Sequence, residues 1–166
     1  MKKTVFFIAM LLTIATAASA QRANQKWYRH AIGVRGENSV YNFLPLVGVT
    51  YDRFLSNQTA AELILVTDLA TGTEISGLYK YVKSIPDVPA SVRWYAGIGA
   101  HFGQWHAKDI DIVAGIDGIL GIGYTFDQIP INATLDWHPI INAVTSNTQY
   151  IFVPTKFGLS ARYIIE

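Results

Sequence analysis

From about residue 27 to residue 165 the chain alternates apolar and polar side chains. In Ile131-Asn132-Ala133-Thr134-Leu135-Asp136-Trp137-His138 the odd positions are apolar and the even ones polar. Side chains on a strand point alternately to its two faces, so this segment has one oily and one wet face. The same period of two runs through Trp27–Arg35, Leu46–Phe54, Ala60–Thr67, Glu74–Val82, Arg93–Gln104, Val113–Phe126, Ile131–His138 and Lys156–Ile165. Ser56-Asn57-Gln58 and Asp127-Gln128-Ile129-Pro130 predict tight turns, and 36–45, 68–73, 105–112 and 139–155 predict longer connections. Ile85-Pro86-Asp87-Val88-Pro89 excludes regular pairing, because proline lacks the ladder donor.

The apolar row comprises Ile32 and Val34; Val47, Val49 and Tyr51; Ala61, Leu63 and Leu65; Ile75, Gly77, Tyr79 and Tyr81; Trp94, Ala96, Ile98, Ala100 and Phe102; Ala114, Ile116, Leu120, Ile122, Tyr124 and Phe126; Ala133, Leu135 and Trp137; Leu159, Ala161, Tyr163 and Ile165. The polar row carries Arg35, Asp52, Glu62, Glu74, Lys80, His101, Asp117, Asp136, His138, Ser160 and Arg162. It also carries many glycines, including Gly33, Gly48, Gly121 and Gly158.

Which row faces water follows from the N-terminus and the composition. Met1-Lys2-Lys3, an apolar run from Val5 to Ile14 and Ala18-Ser19-Ala20 have the layout of a secretory signal peptide cleaved before Gln21. Cleavage takes 20 of the 166 residues and leaves one domain, 21–166, with 11 basic against 12 acidic residues. That balance gives no electrostatic case for nucleic acid. Cysteine is absent, so no disulfide stabilises an exported fold. The mean hydropathy is high, +0.24, yet no mature segment is a spanning helix. An exported, apolar chain of strands can satisfy its backbone in lipid only as a closed barrel. The fold class is therefore all-β: an eight-stranded antiparallel up-and-down transmembrane barrel with its oily row outward.

In that topology Tyr28, Tyr51, Tyr79, Tyr81, Trp94, Tyr124, Phe126 and Tyr163 gather at one rim as a periplasmic aromatic girdle. Phe102 and Trp137 supply a thinner girdle above. Long connections fall outside and short ones inside, with 83–92 an exception. The bore of eight strands is just wide enough for side chains to fill. Buried charges must pair, so Glu62, Glu74, Asp117 and Asp136 are expected to meet Lys80, Arg162 and Arg35 in a lumen network. A filled lumen is not a pore.

The strand pattern, size and signal peptide resemble the small OmpA/OmpX-type outer-membrane barrels. Lys156-Phe157-Gly158-Leu159-Ser160-Ala161-Arg162-Tyr163 resembles that family's assembly signal, continued here by Ile164-Ile165-Glu166 without a final aromatic. The resemblance implies location in the cell outer membrane of a Gram-negative-type cell. It implies outer-membrane lipid, lipopolysaccharide and the barrel-assembly machinery as partners, and a monomer.

Candidate chemistry is thin. Gly97-Ile98-Gly99 and Gly118-Ile119-Leu120-Gly121-Ile122-Gly123 have no helix to complete a phosphate cradle. His30, His101, His106 and His138 lack metal-motif spacing, so no metal and no cofactor is assigned. Small outer-membrane barrels include lipid-modifying enzymes, and Ser160, His138 and Asp136 lie on neighbouring strands. All three have inward parity, with Ser160 and His138 at opposite strand ends, so no catalytic residue is assigned. The function read from the chain is structural or surface-contact, through outer loops carrying Tyr41, Phe43, Trp105, Tyr150 and Phe152. The alternatives are a secreted soluble lipocalin- or streptavidin-like barrel for a small apolar ligand, a lipid-modifying enzyme, and a porin-like conducting barrel.

Overall fold

The computed structural model describes residues 28–38, 45–106, 111–145 and 151–165. The signal segment 1–20, Trp27, Tyr41, Phe43 and Tyr150 lie outside the described residues. The strands are β1 (His30–Asn38), β2 (Pro45–Phe54), β3 (Thr59–Thr67), β4 (Gly72–Ser84), β5 (Val92–Trp105), β6 (Asp111–Thr125), β7 (Ile131–Trp137), β8 (Ile140–Val144), β9 (Phe152–Val153) and β10 (Phe157–Ile165). Neighbours in the chain pair antiparallel from β1 to β7, and β10 lies between β7 and β1, so the sheet closes on itself. Each of β1–β7 and β10 finds a partner on both sides, which removes the exposed edges of an open sheet, and the two-residue β9 pairs with β8.

Eight walls are made from ten strands. β7 and β8 are one strand interrupted at His138-Pro139. Leu120 pairs Trp137 below the break and Asp117 pairs Ile140 above it, in unbroken register along β6. Pro139 cannot donate, but its carbonyl accepts from Gly118 N at 2.8 Å and the wall continues. β9 and β10 likewise form one wall with a one-residue slip: Ile140 pairs Val153, whereas Trp137 pairs Phe157. The predicted loop 139–155 is therefore corrected, since Ile140–Val144 and Phe152–Val153 are strand. Proline removes one ladder bond, and the period-two pattern resumes immediately beyond it.

Strands also run further into the connections than the sequence pattern indicates. β1 is shifted upward from the predicted Trp27–Arg35, and β4, β5 and β6 are each longer. The loop expected at 68–73 shrinks to a turn at 68–71. The upper connections (39–44, 68–71, 106–110, 145–151) then differ little in length from the lower ones (55–58, 85–91, 126–130). Loop length alone does not orient this barrel. "Lower" denotes the rim where His30 pairs Ile165.

The two rows separate completely. Ile98, Leu135, Leu120 and Leu159 are 73%, 55%, 49% and 62% exposed, whereas Arg35, Glu62, Lys80, Asp136 and Arg162 are buried. Small inward residues create the room: a Cβ on Gly158 would fall 2.0 Å from Arg35 Nη2, and one on Gly121 2.6 Å from the Tyr95 ring. Two further glycines allow close strand approach, because a Cβ on Gly33 or Gly48 would meet a facing carbonyl oxygen at 1.9 or 1.8 Å.

The 68–71 turn is built by Asp68. Its Oδ1 accepts from the backbone N–H groups of Ala70 (3.0 Å), Thr71 (2.7 Å) and Gly72 (2.9 Å), and its Oδ2 accepts from the Thr71 hydroxyl. Leu69 sits in the left-handed region at φ 63°. Burial opposes ionisation of Asp68, but these hydrogen bonds outweigh it and hold the carboxyl below the usual carboxylate range. A depressed folded value gives stability that is present above the ordinary carboxylate value and lost as pH falls through the folded one.

Two outcomes follow for stability in detergent. Gly48→Ala forces β2 and β3 apart and costs about 1–3 kcal/mol, read from the urea midpoint. Asp68→Ala costs roughly 1–3 kcal/mol at neutral pH, and its gap from the wild type narrows as the pH is lowered through the acid range.

Candidate functional site

The inward row assembles into a continuous polar column along the bore. At its lower end the Tyr28 hydroxyl donates to Asp52 Oδ2 at 2.7 Å. Lys80 Nζ lies 3.1 Å from Asp52 Oδ1 and 2.7 Å from Glu62 Oε2, and 4.8 Å above the Tyr95 ring. Arg162 pairs with Glu62 and donates to Thr50 Oγ1 at 3.2 Å, Asn132 Oδ1 at 3.3 Å and Thr134 Oγ1 at 3.2 Å. Tyr95 then donates to Asp136 Oδ2 at 2.8 Å. Asp136 accepts two bonds from Arg35, at 2.6 and 3.0 Å, a forked geometry that fixes both side chains.

Arg35 carries the column upward. Its Nε lies 2.6 Å from Glu37 Oε1, and the other oxygen of Glu37 is 3.0 Å from Lys156 Nζ. Lys156 also pairs with Glu74. Beside this set, His138 lies between Glu37 Oε1 (3.2 Å) and Asp117 Oδ2 (3.5 Å). His101 bonds Asp117 through Nδ1 and Asn142 Oδ1 through Nε2 at 2.7 Å. Above the column, Leu46, Val66, Trp105, Val113, Ile140 and Val153 close the bore with apolar side chains.

Among the described residues of the strands and the segment leading into β10, the inward rows set five buried cations (Arg35, Lys80, Arg93, Lys156, Arg162) against six buried carboxylates (Glu37, Asp52, Glu62, Glu74, Asp117, Asp136). Arg35, Arg162, Lys80, Glu74 and His138 all have under 2% relative exposure, so the bore is occupied across its width.

Some pairings differ from the predicted ones. Glu62 meets Lys80 and Arg162, and Asp136 meets Arg35. Glu74 instead meets Lys156, and Asp117 meets the two histidines. Glu37 and Lys156, which join the halves, were not among the sequence candidates. Parity was the missed signal: Glu37 lies two residues beyond Arg35 and Lys156 two before Gly158 on the inward row.

Among the predicted girdle residues, Tyr51, Tyr79, Tyr81, Tyr124, Phe126 and Tyr163 are exposed towards the lower rim, and Trp94 is half-exposed with them. They pair locally: Tyr81 meets Trp94 edge-on at 6.3 Å, and Tyr124 meets Phe126 at 4.8 Å. Tyr28 is the exception and a correction. It turns into the lower mouth, onto Asp52 and edge-on to Phe54 at 5.0 Å. Trp105, expected on an outer loop, is 4% exposed and part of the apolar cap.

The structure does not assemble a triad. Ser160 Oγ accepts from Arg35 Nη1 at 2.9 Å, while His138 is engaged with Glu37 and Asp117. Among the described residues no cluster of His, Cys, Asp and Glu has a metal-binding arrangement.

Removing one member of the column exposes the others to an unmatched charge. Glu62→Gln, which leaves Lys80 and Arg162 facing an amide, is expected to cost about 3–5 kcal/mol in reversible urea unfolding.

No protein-family model matches the chain, and no curated protein does. Among solved structures, the crystal structure of the N-terminal beta-barrel domain of Pseudomonas aeruginosa OprF superposes with a TM-score of 0.62 at 15% sequence identity, covering 84% of this chain and 100% of that one. At that identity the likeness shows the fold alone: a closed eight-walled antiparallel barrel.

Proposed function

We propose that this protein is an integral barrel of the outer membrane with a plugged bore, serving structure or surface contact through the segments at its upper rim. The observation that carries the reading is the inversion of polarity. Among the described residues, the outward rows of the strands hold no carboxylate and only two permanently charged side chains, Arg53 and Lys83, while the inward rows hold the charge network. A water-bathed barrel needs the reverse arrangement. Exposed apolar surface on this scale marks contact with another apolar phase.

The dimensions agree with a bilayer. From Trp94 to Phe102 along β5 is about 27 Å of strand, or roughly 20 Å along the axis at a tilt of ~40°, near the apolar band of known outer-membrane barrels. Lipid and lipopolysaccharide are then the surroundings, the assembly machinery is met during insertion, and residues 1–20 act as the cleaved export signal of a monomer. The packed bore and its apolar cap favour a structural role over conduction.

Ile98, midway between Trp94 and Phe102 and 73% exposed, tests the reading. Ile98→Arg is expected to cost about 2–4 kcal/mol in a bilayer, since that position lies near the midplane. A water-facing site would tolerate the change within about 0.5 kcal/mol, and that result would reject the membrane assignment. The wild-type barrel is also expected to show no steady conductance in a planar bilayer; discrete ion-sized steps would reject the plug.

A further inference from the structure

The few charges on the outer wall are not scattered. Tyr51-Asp52-Arg53 on β2 and Tyr81-Val82-Lys83 on β4 repeat one arrangement: an outward tyrosine, an inward residue, then an outward cation nearer the lower rim. Two residues of strand place each cation about 6.6–6.8 Å beyond its tyrosine. His30 of β1 lies opposite Arg53 in the ladder, stacks on Tyr51 with centroids 6.0 Å apart, and hydrogen-bonds the Tyr51 hydroxyl through Nδ1 at 2.6 Å. Arg29, also exposed, is tied to the same spot by its carbonyl, which accepts from Phe54 N at 3.1 Å. On the far side, Lys83 pairs in register with Trp94, the ring that meets Tyr81.

The acidic residues at this rim lie further out. Asp87 and Asp127 are exposed, but on the turns 85–91 and 126–130 rather than on the wall. Passing from the middle of the wall towards water, the order is aliphatic, tyrosine, cation, carboxylate. At the upper rim no outward strand position among the described residues carries a charge.

That ordering fits one kind of neighbour: a leaflet whose phosphates lie just outside the tyrosine level. Tyrosine holds the polar–apolar boundary, a long basic side chain keeps its stem in apolar surroundings and its head at the phosphate, and a carboxylate is tolerated only beyond it. We propose that the β1–β2–β4 side of the lower rim is a binding surface for anionic glycerophospholipid headgroups. Arg53 with Arg29, and Lys83 on the far side, take the phosphates, and Tyr51 and Tyr81 sit at the glycerol level. The proposal rests on the membrane-barrel reading and adds to it a headgroup class and a face.

The test uses the full chain folded in zwitterionic micelles, with a heat-dependent gel shift confirming that each variant is folded. Dihexanoyl phosphatidylglycerol, dihexanoyl phosphatidylcholine and inorganic phosphate are titrated separately, and bound molecules are counted by native mass spectrometry. Phosphatidylglycerol is expected to bind about tenfold or more tightly than phosphatidylcholine. Arg53→Gln and Lys83→Gln should each lower that affinity roughly fivefold. The double variant should keep only the weak preference that Arg29 supplies, the triple variant with Arg29→Gln should show none, and Arg53→Lys should retain the wild-type preference in full. Equal binding of the two lipids by the wild type, or an unchanged preference in the folded double variant, overturns the proposal. Inorganic phosphate binding as tightly as phosphatidylglycerol would mean a free-anion site, and displacement by the phosphates of lipid A would mean the other leaflet; each overturns the headgroup assignment. A chain soluble without detergent, or an Ile98→Arg variant of unchanged stability, defeats the underlying barrel reading instead.

Discussion

A charged group in a bore eight strands wide has no bulk water beside it, and most of this structure follows from that restriction. Each carboxylate must be met by a cation or by hydrogen-bond donors within the barrel, because an isolated buried charge costs several kcal/mol. The side chains that meet this demand come from all eight walls, so the network ties together segments far apart in the chain. Arg35 of β1 reaches Asp136 of β7, and Lys156 reaches Glu74 of β4. The column thus fixes the relative height of walls that do not touch through their backbones. Glycine at 121 and 158 makes the long reaches geometrically possible.

The period-two pattern made the fold class legible, because in a barrel every strand position is either bore or wall and one residue type cannot serve both. The outward and inward assignments at individual positions, from Ile32 to Ile165, agree with the observed exposure. The pattern misleads where a local feature resembles a strand's end. Pro139 looked like a terminator, but it subtracts a single donor from a ladder that β6 continues to supply. Glu37 falls in the connection predicted at 36–45, although its parity matches Arg35. Trp105 looked like a loop aromatic and is a cap. Tyr28 precedes β1, where alternation no longer constrains direction, and there a hydrogen bond to Asp52 decides.

The partners inside the bore were less legible than its members. Composition shows how many charges must be matched, but which cation meets which carboxylate depends on the stagger between walls. That stagger is a property of the closed sheet as a whole. Lys156 shares the inward parity of Gly158, but that it meets Glu74 rather than another carboxylate depends on how the walls are staggered. Similarly, the direction of the barrel in its surroundings did not come from loop lengths, which longer strands equalised. The direction we propose rests on where the few outward cations stand relative to the tyrosines.

The slip between Val153 and Phe157 also indicates what kinds of length change this architecture can absorb. Elsewhere in the walls an inserted or deleted residue would turn every later side chain of that strand from hydrocarbon to bore, and the ion pairs with it. Divergence within the walls should therefore proceed in steps of two, with odd changes confined to the connections or to a bulge such as this one. Chains that share this barrel will keep the parity of their strands longer than they keep the identity of any residue on them.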